Sequence, residues 1–151
     1  MKRIMIDASK CMGCKNCYAG CILAHGKDGA KDIESINMID PANESRNTIK
    51  MDSDGNYAPI FCRHCDDSQC VVACISGALS KDAVTGHIRY DSDRCCSCFM
   101  CVMNCPYGIP KPDRTTGTSV VRCDFCLNDN EEPNCVKMCL SKAIYIEEAD
   151  S

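Results

Sequence analysis

Residues 62–106 of the chain read CRHCDDSQCVVACISGALSKDAVTGHIRYDSDRCCSCFMCVMNCP. Cysteines gather at both ends of this stretch, and each group closes with three residues between its last two cysteines. Between the groups, segments 78–80 and 87–91 flank a Thr85-Gly86 pair, which is typical of a β-hairpin turn. The stretch therefore predicts two cysteine motifs joined by a hairpin.

Two further motifs of this kind lie near the chain ends, so that four quartets account for sixteen of the seventeen cysteines. The quartets are Cys11, Cys14, Cys17, Cys21; Cys62, Cys65, Cys70, Cys74; Cys95, Cys98, Cys101, Cys105; and Cys123, Cys126, Cys135, Cys139. The first and third have the C-x2-C-x2-C-x3-C spacing of bacterial ferredoxins, and the third also has the trailing Pro106. Because a cubane needs one thiolate at each of its four iron corners, the spacing predicts four 4Fe-4S clusters with all sixteen cysteines as ligands.

Zinc is the competing metal, since paired C-x2-C knuckles also supply four thiolates to a tetrahedral ion. Such knuckles contain two cysteines each in widely separated halves, whereas here a third and a fourth cysteine follow at once. The spacing therefore favours iron-sulfur clusters. Cys96 is left over, because Cys95 keeps the two-residue gap to Cys98, and we expect Cys96 to be a free thiol near a cluster.

The composition limits the remaining possibilities. With three Phe, five Tyr and no Trp in 151 residues, side-chain packing alone offers little to hold the chain together. The formal charge of −4 becomes roughly −12 with four bound clusters, so no nucleic acid partner is expected. Residues 1–10 have no apolar stretch of signal-peptide length, and no window is long enough to span a bilayer, which predicts a cytoplasmic chain without direct membrane insertion.

The order of the motifs predicts which cysteines share a cluster. In two-cluster ferredoxins the first three cysteines of a motif bind one cluster and the fourth crosses to the other. The segments LSKAIYIEE (140–148) and KRIMIDASK (2–10) echo those around the central hairpin, which pairs motif one with motif four. The predicted ligand sets are A (Cys95, Cys98, Cys101, Cys74), B (Cys62, Cys65, Cys70, Cys105), C (Cys123, Cys126, Cys135, Cys21) and D (Cys11, Cys14, Cys17, Cys139). The alternative, motif one with motif two, would leave both terminal strands without partners.

The predicted fold class is α+β, with two bacterial-ferredoxin-like units of small β-hairpins and short helices around the 4Fe-4S clusters. The inner unit spans residues 62–105, and the outer unit is built from both chain ends, residues 1–24 and 123–151. Residues 25–61 and 106–122 are insertions, the first with another hairpin signal at Asp54-Gly55. We expect them either to cover the clusters or to form the surface that recognises a partner.

Electron transfer is the predicted activity. The sequence has no nucleotide loop and no Ser-His-Asp arrangement, and clusters with complete cysteine ligation offer no open iron to a substrate, so the chain is not expected to be an enzyme itself. His64 is expected to play a structural role or to tune its cluster through a hydrogen bond, while His25 and His87 are expected to face solvent. A redox-sensing regulatory protein with Cys96 as its switch is the alternative from another class.

With this motif order, residues 1–147 resemble the four-cluster ferredoxin-like subunits of the dimethyl sulfoxide reductase, formate dehydrogenase and formate hydrogenlyase systems. A narrower resemblance is to the iron-sulfur subunit that accompanies monofunctional carbon monoxide dehydrogenase in anaerobic bacteria. It is carried by KCMGCKNCYAGC (10–21), CFMCVMNCPYGIPKPD (98–113) and above all ESRNTIKMDSDGNYAPIFCRHCDDSQC (44–70), much of which lies outside the ligands.

This resemblance implies that carbon monoxide dehydrogenase is the partner, and that its electrons leave toward a hydrogenase, a flavin-dependent NAD(P) oxidoreductase or a ferredoxin. A formate dehydrogenase, formate hydrogenlyase or other molybdopterin oxidoreductase is the alternative partner. The chain departs from the ferredoxin spacing at Ile22, Ile75 and Leu140, which stand where that pattern has proline after the fourth cysteine.

Overall fold

The computed structural model describes residues 1–27, 29–127 and 132–148. Its regular elements are short and lie close to the cysteine motifs. The strands are β1 (Lys2–Ile6), β2 (Thr48–Met51), β3 (Tyr57–Ile60), β4 (Leu79–Lys81), β5 (Ile88–Tyr90), β6 (Lys111–Pro112), β7 (Val120–Val121) and β8 (Ile144–Glu148). The helices are α1 (Asn16–His25), α2 (Gln69–Val72), α3 (Met100–Asn104) and α4 (Asn134–Lys137), with single 3-10 turns at Ala8–Lys10 and Ser92–Arg94.

The strands form four separate two-stranded antiparallel ladders, β1-β8, β2-β3, β4-β5 and β6-β7. The ladder β4-β5 is the hairpin predicted between the two central motifs, and β2-β3 is the one predicted at Asp54-Gly55. In the β4-β5 turn the Asp82 carboxylate accepts hydrogen bonds from the N–H groups of Val84 and Thr85, at 3.0 and 2.7 Å. Gly86 has φ of +70°, a conformation that glycine adopts without steric cost.

The two ends of the chain pair with each other. In the ladder β1-β8, Met5 lies opposite Tyr145 and Ile6 opposite Ile144. The strand pairing expected from the echoed terminal segments is therefore confirmed. The alternative motif pairing would leave β1 and β8 without partners, whereas the two strands pair with each other.

The helices pack in the same combination as the strands. Helix α1 of motif one contacts α4 of motif four, and α2 of motif two contacts α3 of motif three. At the first contact, a Cβ on Gly20 would lie 2.9 Å from the carbonyl oxygen of Asn134 and 2.8 Å from the sulfur of Met138. The close approach of α1 and α4 depends on glycine at this position.

Two small apolar cores follow this division, and cysteines contribute to both. The outer core, between the terminal ladder and α4, consists of the buried residues Ile4, Cys17, Phe61, Phe125, Cys135, Val136 and Ile144. The inner core, at the central hairpin, consists of Leu79, Ile88, Cys101 and Val120. Within the described residues, no helix has the length and apolar character needed to cross a membrane.

Candidate metal centres

All seventeen cysteines lie in the described part of the chain, and none of them forms a disulfide. The structure brings the predicted ligands together across the motifs. Two cavities show this directly, because each is lined by all four cysteines of one predicted set. One contains set D, Cys11, Cys14, Cys17 and Cys139, and the other contains set B, Cys62, Cys65, Cys70 and Cys105.

The pKa values of two thiols, one from each of these cavities, depend on the same neighbouring cysteines. Burial raises the pKa of Cys17 to about 12, and the neighbouring Cys139, Cys11 and Cys14 add to the rise because a second thiolate nearby disfavours ionisation. In set B, burial raises the pKa of Cys70 to about 11, with further increases from Cys62, Cys105 and Cys65.

Sets A and C show the same crossed arrangement. Burial raises the pKa of Cys135, and the nearby thiols that raise it further include Cys123, Cys126 and the crossing Cys21. Burial also raises the pKa of Cys101, and the crossing Cys74 and Cys95 contribute. Cys98, the remaining member of set A, is exposed, as is Cys14 of set D.

Hydrogen bonds reach the sulfur atoms of the crossing cysteines. The N–H of Arg46 donates to Sγ of Cys21 at 3.3 Å, and the N–H of Leu79 donates to Sγ of Cys74 at 3.4 Å. The hydroxyls of Ser76 and Ser141, each two residues after a fourth cysteine, lie 3.7 and 3.8 Å from the sulfurs of Cys74 and Cys139. Four convergent thiols with donors aimed at sulfur are the surroundings that a 4Fe-4S cluster requires.

The backbone of the motif loops turns tightly around these groups. Left-handed φ values occur at Lys15 and Phe99, each directly after the second cysteine of a C-x2-C-x2-C run and directly before a helix, at 61° and 54°. Residues other than glycine rarely adopt this conformation. The loops of motifs one and three therefore share one local geometry, as their shared spacing predicts.

Cys96 is exposed and lines neither cysteine cavity. Cys95 is among the thiols that raise the pKa of Cys101 further, and its preference over Cys96 as a ligand stays a prediction.

The expectation that His25 and His87 face solvent is wrong. His87 is buried, its Nε2 lies 2.9 Å from the carbonyl oxygen of Lys2, and its ring stacks on Phe125 with centroids 4.2 Å apart. Nε2 of His25 lies 3.4 Å from the sulfur of Cys126. Isolated histidines give no sequence pattern that reveals such tertiary contacts.

His64 is also buried, and it joins the two halves of the inner motif pair. Its Nδ1 accepts a hydrogen bond of 3.0 Å from the N–H of Ile88, so that the proton of the neutral ring is on Nε2. Burial lowers the pKa of His64 to about 3, and the nearby Arg122 guanidinium lowers it further, so the ring stays neutral. A structural role for His64 is thus supported, and cluster tuning stays a prediction.

Part of the first insertion packs beside Cys17 of set D and Cys21 of set C, and the sequence left such covering of the clusters as one of two possibilities. Asn43, Ser45 and Asn47 are buried, and Nδ2 of Asn47 donates to the carbonyl oxygen of Cys17 at 3.0 Å. Residues 43–47 therefore form a polar lining beside α1. No periodic pattern in NESRN could have indicated this, because its partners lie on other motifs.

An ion pair links residues 43–47 to motif four. Nη1 of Arg46 lies 2.6 Å from Oδ2 of Asp124, and His25 lies 3.4 Å from the same carboxylate. His25, Asp124 and Cys126 hold their ligand atoms within 4.8 Å of one another. Because Cys126 already belongs to set C, we regard His25 and Asp124 as surroundings of that set and not as a separate metal site.

Comparison with known proteins identifies relatives along almost the whole chain. The family described as "4Fe-4S dicluster domain" matches residues 53–149. The chain is 32% identical over 146 residues to the B subunit of anaerobic dimethyl sulfoxide reductase of Escherichia coli, covering 92% of this chain and 69% of that subunit. It is 27% identical to formate hydrogenlyase subunit 2 of the same species, covering 97% and 82%.

A third relative is much longer. The chain is 34% identical to the beta subunit of NADH-dependent phenylglyoxylate dehydrogenase of Aromatoleum evansii over 136 residues. The match covers 90% of this chain and 28% of that subunit. The similarity therefore extends to one segment of a larger polypeptide.

Proposed function

Since the chain belongs to the 4Fe-4S dicluster domain family, we propose that it relays single electrons through four 4Fe-4S clusters held by its sixteen motif cysteines. It is an iron-sulfur electron-transfer protein of the kind that serves redox enzyme complexes as a subunit, and it is not the catalytic subunit. A 4Fe-4S cluster with four thiolate ligands supplies a site that takes up and releases one electron.

The observation that carries the proposal is the crossing of the fourth cysteines. Cys139 lies with Cys11, Cys14 and Cys17, although 117 residues lie between Cys139 and Cys21, the last cysteine of motif one. Cys105 lies with Cys62, Cys65 and Cys70 in the same way. Each of these cavities offers four thiols from two motifs, which supports the crossed ligand sets of a two-cluster ferredoxin.

Contacts between sets support a linear order A, B, C, D. Cys62 of set B lies close enough to Cys123 of set C to raise its pKa further, beyond the larger effect of burial. Cys17 of set D has a similar effect on the buried Cys135 of set C. Cys101 of set A is buried in the inner core, and Cys70 of set B packs against that core. The proposed relay therefore has sets A and D at its two ends.

The two ends have matching surfaces. Ile75 follows Cys74 of set A and is 77% exposed, and Leu140 follows Cys139 of set D and is 75% exposed. Ile22, which follows Cys21 of the internal set C, is by contrast 1% exposed. The exposed apolar residues favour sets A and D as the points where electrons enter and leave.

For the partner, carbon monoxide dehydrogenase is the first candidate, because residues 44–70 resemble the subunit that accompanies it. The second candidate is a formate-oxidising or other molybdopterin enzyme. This alternative is supported by the similarity to formate hydrogenlyase subunit 2 and to the B subunit of dimethyl sulfoxide reductase.

Two measurements test the proposal. Iron and acid-labile sulfide analysis of anaerobically prepared protein should find four clusters per chain, and stoichiometric zinc without sulfide would refute the relay. With the co-purified partner present, carbon monoxide should bleach the visible cluster absorption. Bleaching by formate alone would transfer the partner assignment to the formate enzyme and leave the relay intact.

A further inference from the structure

Arg122 is a charged residue that the proposed relay does not yet use. It follows β7 and directly precedes Cys123 of set C, yet its side chain lines the cavity of set B together with Cys62 and Cys70. Arg122 is 5% exposed. In the part of the chain that the structure describes, it is the only Lys, Arg, Asp or Glu that is buried.

The guanidinium is held at one end and unpartnered at the other. Nη1 donates a hydrogen bond of 2.9 Å to the carbonyl oxygen of Ile88 in β5. Nη2 is buried and has no hydrogen-bond partner among the described residues. Within the same residues, no carboxylate forms an ion pair with Arg122.

A buried cation without a counter-ion is costly, because it loses its hydration and gains no opposite charge. The thiolates of set B are candidates for the opposite charge. Arg122 lines one cavity together with all four cysteines of set B. The cavity therefore supplies the anion that this guanidinium lacks elsewhere.

The residue before the first cysteine of motif two, which corresponds to Arg122 in motif four, carries no charge. Phe61 directly precedes Cys62, as Arg122 directly precedes Cys123. Phe61 is 2% exposed and packs in the outer core with Cys17 and Cys135. At matched places in the repeat, set B thus receives a cation and the outer sets receive a phenyl ring.

We propose that Arg122 is a positioning residue that raises the reduction potential of the cluster bound by set B, through its buried charge and a hydrogen bond from Nη2 to cluster sulfur. The inference rests on the proposed function, since it requires a cluster at set B. An added electron makes the bound group more negative, and a fixed cation beside it stabilises that state. Arginine suits this role because it stays charged when buried.

The test is an anaerobic redox titration, followed by electron paramagnetic resonance, of the wild type and the Arg122→Met variant. Iron and sulfide are measured first. At a fixed poise, the ratio of reduced to oxidised cluster should fall about tenfold for one signal, equivalent to 59 mV for a one-electron couple. That signal should be the one altered by Cys105→Ser, and the signals of sets A and D should titrate within about twofold of the wild type.

Two further variants separate charge from a general loss of structure. Arg122→Lys keeps the charge and should stay within about threefold of the wild type. Arg89→Met removes an arginine of the β4-β5 hairpin, whose side chain is 49% exposed and paired with Asp82. This variant should shift no signal.

The proposal is overturned by an unchanged set B signal in a fully loaded Arg122→Met protein, or by equal shifts in Arg122→Lys and Arg122→Met. If Arg122→Met fails to assemble clusters, the Arg122→Lys variant decides alone, since a tenfold fall in it contradicts a role for the charge. Absence of iron and sulfide in the wild type would instead refute the proposed function.

Discussion

Gly20 of α1 lies directly against Asn134 of α4, so close that a Cβ on the glycine would come within 2.9 Å of the asparagine carbonyl oxygen. These residues belong to motifs one and four, which lie at opposite ends of the chain. Their contact joins the two helices that carry the third cysteine of sets D and C, Cys17 and Cys135.

The Gly20→Ala variant should lose its clusters faster than the wild type. Alanine favours a helix by about 1 kcal/mol over glycine, but overpacking against backbone costs about 1–3 kcal/mol. We expect a net loss of about 1 kcal/mol, or about fivefold faster bleaching at fixed denaturant concentration. Ala24→Ser, on the exposed side of the same helix, is the control and should bleach at the wild-type rate. Bleaching of Gly20→Ala that is slower than that of the wild type would show that α4 can shift to accommodate the added methyl group.

Serine variants should reveal which cysteines share a cluster. Cys139→Ser and Cys11→Ser should alter the same paramagnetic signal, because both belong to set D. Cys135→Ser should alter a different one, although Cys135 and Cys139 are in one motif. The measurement is electron paramagnetic resonance of the reduced proteins with iron analysis. Identical spectra for Cys135→Ser and Cys139→Ser would favour clusters held within single motifs.

Cys96→Ser is the matched control for that series, since it replaces an exposed cysteine outside the four sets. We expect wild-type iron content, electron transfer and partner binding. Loss of iron would make Cys96 a ligand, and altered partner binding with full iron content would support the redox-sensing alternative.

Removal of iron should unfold the chain. Among the described residues, the inner core has four buried members and the outer core seven, and three of these eleven are cysteines. Where so little apolar packing exists, the free energy of metal binding becomes free energy of folding. Chelation of iron under reducing conditions should abolish the native circular dichroism signal, and reconstitution should restore it. A cooperative thermal transition in the iron-free protein would argue against this dependence.

Charged substitutions should distinguish the two ends of the relay. Ile75→Glu and Leu140→Glu each place a charge beside one terminal set, and each should slow transfer at its own end about tenfold or more by weakening apolar contact with the partner. The measurement is stopped-flow reduction by the enzyme partner and, separately, oxidation by the acceptor. Val84→Glu, at a hairpin residue that is 95% exposed, is the control. Equal rates for all three variants would place docking elsewhere.

The sixteen candidate ligands and the pairing of the strands next to the motifs could be predicted because the cues are local. A C-x2-C-x2-C loop is defined by short covalent distances, and the Thr85-Gly86 turn allows few backbone conformations. Even the pairing of β1 with β8 was predictable, since both segments repeat the flanks of a hairpin that is continuous in residues 78–91.

The surroundings of the sulfur atoms, by contrast, could not be predicted from the sequence. Three features join segments that are far apart in sequence. They are the burial of His87 against Phe125, the lining by residues 43–47 and the position of Arg122 in the set B cavity. Such contacts depend on how loops close across one another, and a long side chain next to Cys123 has no local cue that directs it to Cys62. Local sequence patterns were therefore enough to identify the candidate cluster-binding residues and to predict how the motifs pair. The fold decided their surroundings, because burial and charge at a sulfur atom are properties of packing.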